Sequence, residues 1–121
     1  MNKKVLIVED DTVLANALNL SLKDKDYDIS LATDGKEASE MIAKIKPDLI
    51  LLDLLLPVKN GFEVLREMRS NEETKNIPVV ILTNFEQETS IEEGMKLGAK
   101  DYIVKANIEI NDVPEVVAKY I

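Results

Sequence analysis

The segment Pro47-Asp48-Leu49-Ile50-Leu51-Leu52-Asp53 decides the fold of this chain, because four apolar residues run unbroken between two acids. Alternation of polar and apolar residues marks a strand with one wet face, whereas an unbroken apolar run marks a strand buried on both faces. The segment therefore predicts an internal strand of a parallel sheet that helices cover on both sides.

Four other short apolar runs, rich in β-branched residues, predict the remaining strands. They lie at Val5–Val8, Ile29–Ala32, Ile77–Leu82 and Tyr102–Val104. Apolar residues recur at helical spacing after each strand and predict five helices. The alternation of strand and helix predicts an α/β fold with right-handed crossovers and a mostly parallel sheet, formed by one domain over residues 1–121.

Caps and breakers mark the helix boundaries. The first helix has Leu14, Leu18 and Leu22 four residues apart, and Val13 and Ala17 are expected to widen its apolar stripe. The second helix is expected from an N-cap at Asp34 to just before Pro47, and the third around Phe62, Leu65 and Met68. The fourth is expected at about Glu86–Leu97, before Gly98, and the fifth across Val113, Val116, Val117 and Tyr120.

The amino-acid composition limits the kinds of functional site that this chain can form. The 121 residues include 23 Asp+Glu against 15 Lys+Arg, and they contain no Cys and no His. Disulfides, thiolate or imidazole zinc sites and Ser-His-Asp triads are thereby excluded, so any metal must be held by oxygen. The acidic balance argues against nucleic-acid binding, no run approaches the ~20 apolar residues of a membrane span, and the absence of a secretory signal pattern predicts a cytoplasmic location.

Polar side chains follow four of the predicted strands at the point where each strand ends. They are Glu9-Asp10-Asp11, Asp53, Thr83 and Lys105. Because the carboxyl ends of parallel strands meet at one edge, these side chains are expected to lie close together. Carboxylates ~5 Å apart repel by about 3 kcal/mol per pair at an effective dielectric near 20, so a hard divalent cation such as Mg²⁺ is expected among them. A lysine, a hydroxyl and a metal around one carboxylate suit the stabilisation of phosphoryl oxygens.

The sequence resembles the receiver domain of two-component response regulators, of the chemotaxis-regulator type. The resemblance covers essentially the whole chain and rests on Val5–Asp11 (VLIVEDD), Pro47–Asp53 (PDLILLD), Pro57, Gly61, Pro78–Thr83 (PVVILT) and Gly98–Lys105 (GAKDYIVK). It implies a flavodoxin-like, doubly wound (βα)5 three-layer sandwich with the parallel five-stranded sheet in the order 2-1-3-4-5.

The resemblance also implies a role for each residue at that edge. Asp53 accepts a phosphoryl group from the phosphohistidine of a sensor histidine kinase or histidine phosphotransfer protein, or from a small acyl phosphate. Lys105 pairs with the phosphoryl oxygens, and Thr83 turns in to bond one of them. Tyr102 passes this movement to a surface of the fourth helix, fifth strand and fifth helix, where an output protein binds.

The implied cofactor is Mg²⁺. Its ligands are Glu9, Asp10, Asp53 and the backbone carbonyl of Leu55, while Asp11 lies just outside the pocket. Phosphorylation adds about −1.5 to −2 charge to an edge that already carries three acids, so the modified state requires the cation and a lysine nearby.

Three features depart from the family pattern. Ala106 follows Lys105 where most receivers have proline, so a trans bond is expected, because a non-proline cis bond costs about 2.5–4 kcal/mol. Asn84 stands where a small residue is usual and is expected either to narrow the pocket or to add a phosphoryl contact. Leu55 and Phe85 are expected to flank the pocket mouth and slow autodephosphorylation, or else to cover core.

The leading interpretation is a signalling module, not an enzyme, with phosphotransfer directed to itself. One alternative is a degenerate receiver that acts only as a protein-interaction scaffold. Another is a Mg²⁺-dependent phosphohydrolase with Asp53 as nucleophile, disfavoured because Leu55 stands where a second acid is needed. A flavin or nucleotide carrier is disfavoured because no glycine-rich phosphate loop is present.

Overall fold

Five strands and five helices alternate in the computed structural model, which describes residues 2–121; Met1, the first residue of the predicted domain, lies outside them. In chain order the elements are β1 (Lys3–Val8), α1 (Thr12–Leu22), β2 (Tyr27–Ala32), α2 (Gly35–Ile45), β3 (Leu49–Leu52), α3 (Gly61–Arg69), β4 (Val79–Thr83), α4 (Glu88–Lys96), β5 (Asp101–Val104) and α5 (Val113–Tyr120). Within residues 2–121, no helix is long and apolar enough to cross a membrane.

The sheet confirms the expected topology. All neighbouring strands run parallel, in the order β2-β1-β3-β4-β5. Val8 at the end of β1 pairs with Leu52 at the end of β3, and Thr83 at the end of β4 pairs with Val104 at the end of β5. The residues that follow these pairs therefore leave the sheet at one shared edge.

Helices cover both faces of the sheet, so the flavodoxin-like three-layer sandwich is confirmed. All four residues of β3 are buried, as the unbroken apolar run requires. Leu6 and Val8 pack on one face with residues of α2 and α3, while Val5 and Ile7 pack on the other with residues of α1 and α5. The alternation along β1 thus supplies two hydrophobic cores to one sheet.

The apolar stripe of α1 is narrower than predicted. Ala17 is half-buried, but Val13 is 79% exposed, so the expectation that Val13 widens the stripe is wrong. The helix begins at an N-cap, Asp11, which accepts hydrogen bonds from the first turn, and Val13 lies in that turn on the solvent side. Leu18 and Leu22 carry the buried face.

Four boundaries differ by two residues from the expectations. β1 and β2 begin two residues before the predicted apolar runs, at Lys3 and Tyr27. β4 begins after Pro78, because proline has no N–H to extend the strand pairing, and not at Ile77. α4 begins at Glu88, after Gln87, whose side chain makes no capping bond. Gly98 ends this helix with a φ of 85°, as predicted for a glycine that adopts the left-handed conformation.

Arg69, the last residue of α3, connects three segments of the chain by hydrogen bonds. Its guanidinium donates to the backbone carbonyls of Lys75 and Ile77 in the loop before β4, and to those of Leu97 and Gly98 after α4. Burial lowers the pKa of Arg69. The side chain satisfies carbonyl oxygens at the amino edge of the sheet that no helix or strand pairs.

Candidate functional site

Asp53 forms the centre of the carboxyl edge of the sheet. It follows β3 directly and is 4% exposed. Its Oδ1 accepts a hydrogen bond from the Thr83 hydroxyl at 2.7 Å and one from the Leu55 N–H at 3.1 Å. Its Oδ2 lies 2.8 Å from the Lys105 ammonium. Three donors, from the end of β4 and from the loops after β3 and β5, thus converge on one buried carboxylate.

Glu9 is the second buried acid of the site, with 2% exposure. Lys105 Nζ lies 2.5 Å from Glu9 Oε1, so one ammonium bridges Glu9 and Asp53. The peptide bond before Ala106 is trans, as predicted, since residues 2–121 contain no cis bond. Lys105 opens a short 3-10 turn and still reaches both carboxylates without a proline after it.

Burial affects the two charges of this pair differently. Burial raises the pKa of Glu9 to about 7; Lys105 opposes that rise, and the charge of Asp53 adds to it. Burial alone lowers the pKa of Lys105, but its hydrogen bonds to Asp53 and Glu9 outweigh this and raise the pKa overall. Lys105 therefore stays charged, but its single positive charge does not fully compensate the negative charges of the two buried acids. A further cation beside Glu9 favours its carboxylate form.

The acids predicted to hold a metal are brought together. Glu9, Asp10 and Asp53 each place one carboxylate oxygen within 4.8 Å of the others. Glu9 and Asp53 are buried, whereas Asp10 is exposed, so the cluster opens to solvent on one side. An all-oxygen set of this kind suits Mg²⁺ or Mn²⁺, and the residues fit a divalent cation. The part assigned to the Leu55 carbonyl stays a prediction.

Hydrogen bonds connect Asp53 to Tyr102. Thr83 is fully buried, and its Oγ1 accepts a long hydrogen bond from the Phe85 N–H at 3.5 Å. The Tyr102 hydroxyl donates to the Phe85 carbonyl at 2.7 Å. Burial, and secondly the charge of Asp53, raise the pKa of Tyr102. Thr83 and Tyr102 therefore both bond to the backbone of Phe85, and the switch role assigned to them stays a prediction.

The apolar residues around the pocket divide between mouth and core. Leu55 is 59% exposed beside Asp53, as predicted for the mouth. Phe85 is half-buried and packs against the hydrophobic core, so it covers core at least in part. Asn84 is exposed.

Two features of the site region were missed by the sequence reasoning. The first is the bridging of Glu9 and Asp53 by Lys105, which was predicted to pair with the phosphoryl oxygens. The crowding of acids at one edge was the available signal. The second is Val58, whose φ of 71° places a β-branched residue in the left-handed region. The Lys59 N–H donates to the Pro57 carbonyl across it, closing a tight three-residue turn.

Residues 5–117 match the model of the family described as response regulator receiver domain. Similar solved structures include the chemotaxis response regulator CheY4 of Vibrio cholerae, at 27% identity and TM-score 0.90, with 100% of both chains covered. The BeF3-activated N-terminal receiver domain of Klebsiella pneumoniae RstA is 30% identical with TM-score 0.86, covering 98% of this chain and 97% of that one. The Mn²⁺-bound form of the response regulator Rcp1 is 32% identical with TM-score 0.83, covering 97% and 90%.

The fold, the acidic edge and these matches define one class of protein, a phosphoacceptor module of two-component signalling. The chain belongs to the response regulator receiver domain family. Receiver domains bind Mg²⁺ or Mn²⁺ in an acidic pocket, which corresponds here to Glu9, Asp10 and Asp53.

Proposed function

We propose that this receiver, comprising residues 1–121, accepts a phosphoryl group on Asp53. The single observation that carries the proposal is the environment of that carboxylate: Thr83 donates to one oxygen at 2.7 Å, and Lys105 lies 2.8 Å from the other. Both donors can transfer their hydrogen bonds to phosphoryl oxygens once an aspartyl phosphate forms, so the same groups suit the product as well as the free acid.

In the proposed reaction a carboxylate oxygen of Asp53 attacks phosphorus. A P–O bond forms to Asp53 while the bond from phosphorus to the donor's imidazole nitrogen or acyl oxygen breaks, and the electron pair leaves with the donor. Glu9, Asp10 and Asp53, with the Leu55 carbonyl, would hold Mg²⁺, which when bound would supply positive charge that stabilises the transferred phosphoryl group. Lys105 contributes a second positive charge to the same oxygens.

The phosphodonor lies outside residues 1–121. The chain has no histidine, so a phosphohistidine must come from a sensor histidine kinase or a histidine phosphotransfer protein. Small acyl phosphates are the alternative donors. Turnover is confined to Asp53 itself, as phosphotransfer followed by autodephosphorylation, and the module is in that sense not an enzyme. A phosphohydrolase acting on external esters lacks support, because exposed, apolar Leu55 stands where such an enzyme needs an acid.

Thr83 and Tyr102 transmit the phosphorylation of Asp53 to the output surface. A phosphoryl group on Asp53 draws the Thr83 hydroxyl away from its position under the Phe85 N–H, and the Phe85 carbonyl holds the Tyr102 hydroxyl. The tyrosine thereby biases the surface of α4, β5 and α5, where we place the output partner. We expect this domain to bind neither nucleic acid nor a membrane.

Acetyl phosphate with Mg²⁺, read by intact mass, tests this function. The wild type is expected to gain one phosphoryl unit transiently, Asp53→Asn to gain none, and the control Asp24→Asn, an exposed acid beyond α1, to behave as the wild type. Failure of the wild type to form an adduct would assign the chain to the scaffold alternative. Sustained release of phosphate from external esters would assign it to the hydrolase.

A further inference from the structure

A second polar pocket lies at the amino edge of the sheet, on the side opposite Asp53. It is open, measures about 420 Å³, and lies between the loop before β4 and the segment that joins α4 to β5. Four cationic residues are among its lining: Arg69, Lys75, Lys96 and Lys100. The backbone of Lys100 is held there because its N–H donates to the carbonyl of Val79, the first residue of β4.

The charge of this pocket contrasts with that of the chain. The whole chain carries a net charge of −8, yet 4 of its 15 basic residues line this one pocket and no acid does. Lys75 pairs with Glu72 at 2.8 Å, but that glutamate is 86% exposed, and such pairs are weak. Among the described residues, Lys96 and Lys100 form no ion pair within 4.0 Å. The lysine charges are therefore largely available to a ligand.

Arg69 covers backbone carbonyl oxygens at the pocket, and among the described residues it forms no ion pair with a carboxylate. The carbonyls of Leu97 and Gly98, at the negative end of α4, would repel an anion if they were bare. Arg69 Nε donates to the first at 2.7 Å and Nη2 to the second at 3.3 Å. These bonds cover the helix end, so the potential inside the pocket is set by the lysines.

The walls also suit a small organic molecule. Half-buried Ile77 and Leu97 offer apolar surface, and Asn76 offers an exposed amide. The volume falls in the range of roughly 300–1,000 Å³ that small-molecule pockets occupy.

We propose that this basic pocket binds a small organic anion with two or more phosphate groups, of the size of a nucleoside diphosphate. Three lysines supply more positive charge than the −1.5 to −2 or so of a single phosphate can balance, which favours a diphosphate. Lysine ammoniums act as point-charge donors to phosphate oxygens. This site is separate from Asp53 and does not depend on phosphotransfer there.

The test uses ADP and inorganic pyrophosphate in Mg²⁺-free buffer with EDTA, followed by calorimetry and by amide NMR shifts. Saturable binding with shifts at Lys75, Lys96 and Gly98 is expected. Lys96→Gln/Lys100→Gln should weaken binding by about tenfold or more, given the charge lost at short range. The matched control Lys36→Gln/Lys44→Gln removes the same charge from exposed positions on α2 and should change it little.

Each remaining outcome decides the proposal. Tighter binding of ADP than of pyrophosphate supports a nucleotide-sized ligand that uses Ile77 and Leu97, whereas equal or weaker binding of ADP would overturn the proposal of an organic ligand in favour of a site for the phosphates alone. Lack of saturation, equal weakening in both double variants, or shifts centred on Thr83 would overturn it. An acidic peptide such as oligoglutamate that binds more tightly than ADP would overturn it in favour of a protein partner. Unchanged ADP binding in Asp53→Asn separates this result from the fate of the phosphotransfer proposal.

Discussion

Lys105 Nζ lies 2.8 Å from Asp53 Oδ2, although 52 positions of sequence separate the two residues. The same ammonium contacts Glu9, so before any divalent cation binds, Lys105 is the counter-charge of both buried acids. A divalent cation held by Glu9 and Asp53, as proposed, would add to the positive charge that Lys105 supplies to the same two carboxylates.

Lys105→Met is expected to destabilise the protein and to increase its response to Mg²⁺. Removing one partner leaves buried Glu9 and Asp53 without compensation, a loss of about 3 kcal/mol or more in comparable buried pairs. Mg²⁺ should then raise the melting temperature of the variant by more than that of the wild type. Thermal melts with and without Mg²⁺ measure this.

The control for that experiment is Lys44→Met, which removes an exposed lysine from the last turn of α2. It should melt within a degree or two of the wild type in both buffers, because exposed charges contribute little, about 0–1 kcal/mol each. Equal melting temperatures for Lys105→Met and Lys44→Met would show that the bridge to the two acids contributes nothing.

Val58→Asn is expected to stabilise the protein. Val58 has a φ of 71° within the turn closed by Lys59 and Pro57. Its side chain is 79% exposed, so the packing of that side chain does little to offset the backbone strain. The left-handed conformation costs about 1–2 kcal/mol for most residues and less for asparagine. A gain of about 1 kcal/mol is expected in urea unfolding. Val58→Ala, which keeps a Cβ without the branch, should gain less; a lower stability for Val58→Asn would contradict the strain argument.

Arg69→Met is expected to cost about 2–3 kcal/mol, since it leaves carbonyls of four residues without their donor at the amino edge of the sheet. Arg69→Lys keeps the charge but not the planar fork, and should recover only a small part of the loss. Urea unfolding curves of both variants measure this. Full recovery in Arg69→Lys would show that charge, not the set of hydrogen bonds, stabilises this corner.

Much of the fold and of the site could be predicted because both depend on local patterns that parallel topology aligns. The apolar run Leu49–Leu52 determined a doubly covered strand, and the polar residues at strand ends determined which side chains meet. Val13 was misplaced because periodicity alone does not show where the first turn begins. Arg69 could not be found, because its partners are backbone carbonyls that carry no sequence signal. The same holds for the basic pocket, which folding assembles from separate loops.

Thr83→Val is expected to uncouple phosphorylation from the output surface. Valine fills nearly the same buried volume but donates no hydrogen bond to Asp53, so the aspartate remains reactive while the Thr83–Phe85–Tyr102 connection is lost. With acetyl phosphate and Mg²⁺, the adduct should still form, though more slowly because one donor to the phosphoryl oxygens is lost, while the NMR shifts of Tyr102 and of α4 stay near those of the unmodified protein. Thr83→Ser retains the hydroxyl and should retain the shifts. Wild-type shifts in Thr83→Val would show that the signal takes another route.

Leu55→Asn is expected to shorten the lifetime of the phosphorylated state several-fold. Leu55 is 59% exposed beside the phosphoacceptor, where its side chain hinders an approaching water, and asparagine in its place can hydrogen-bond and orient that water. Mass spectrometry of the decaying adduct gives the half-life. Leu20→Asn, at a similarly exposed leucine on α1, is the control for lost apolar surface and should leave the half-life unchanged. A wild-type half-life of seconds, or equal decay in Leu55→Asn and wild type, would contradict the shielding role, because hindrance at the mouth must slow the attack of water on the phosphoryl group.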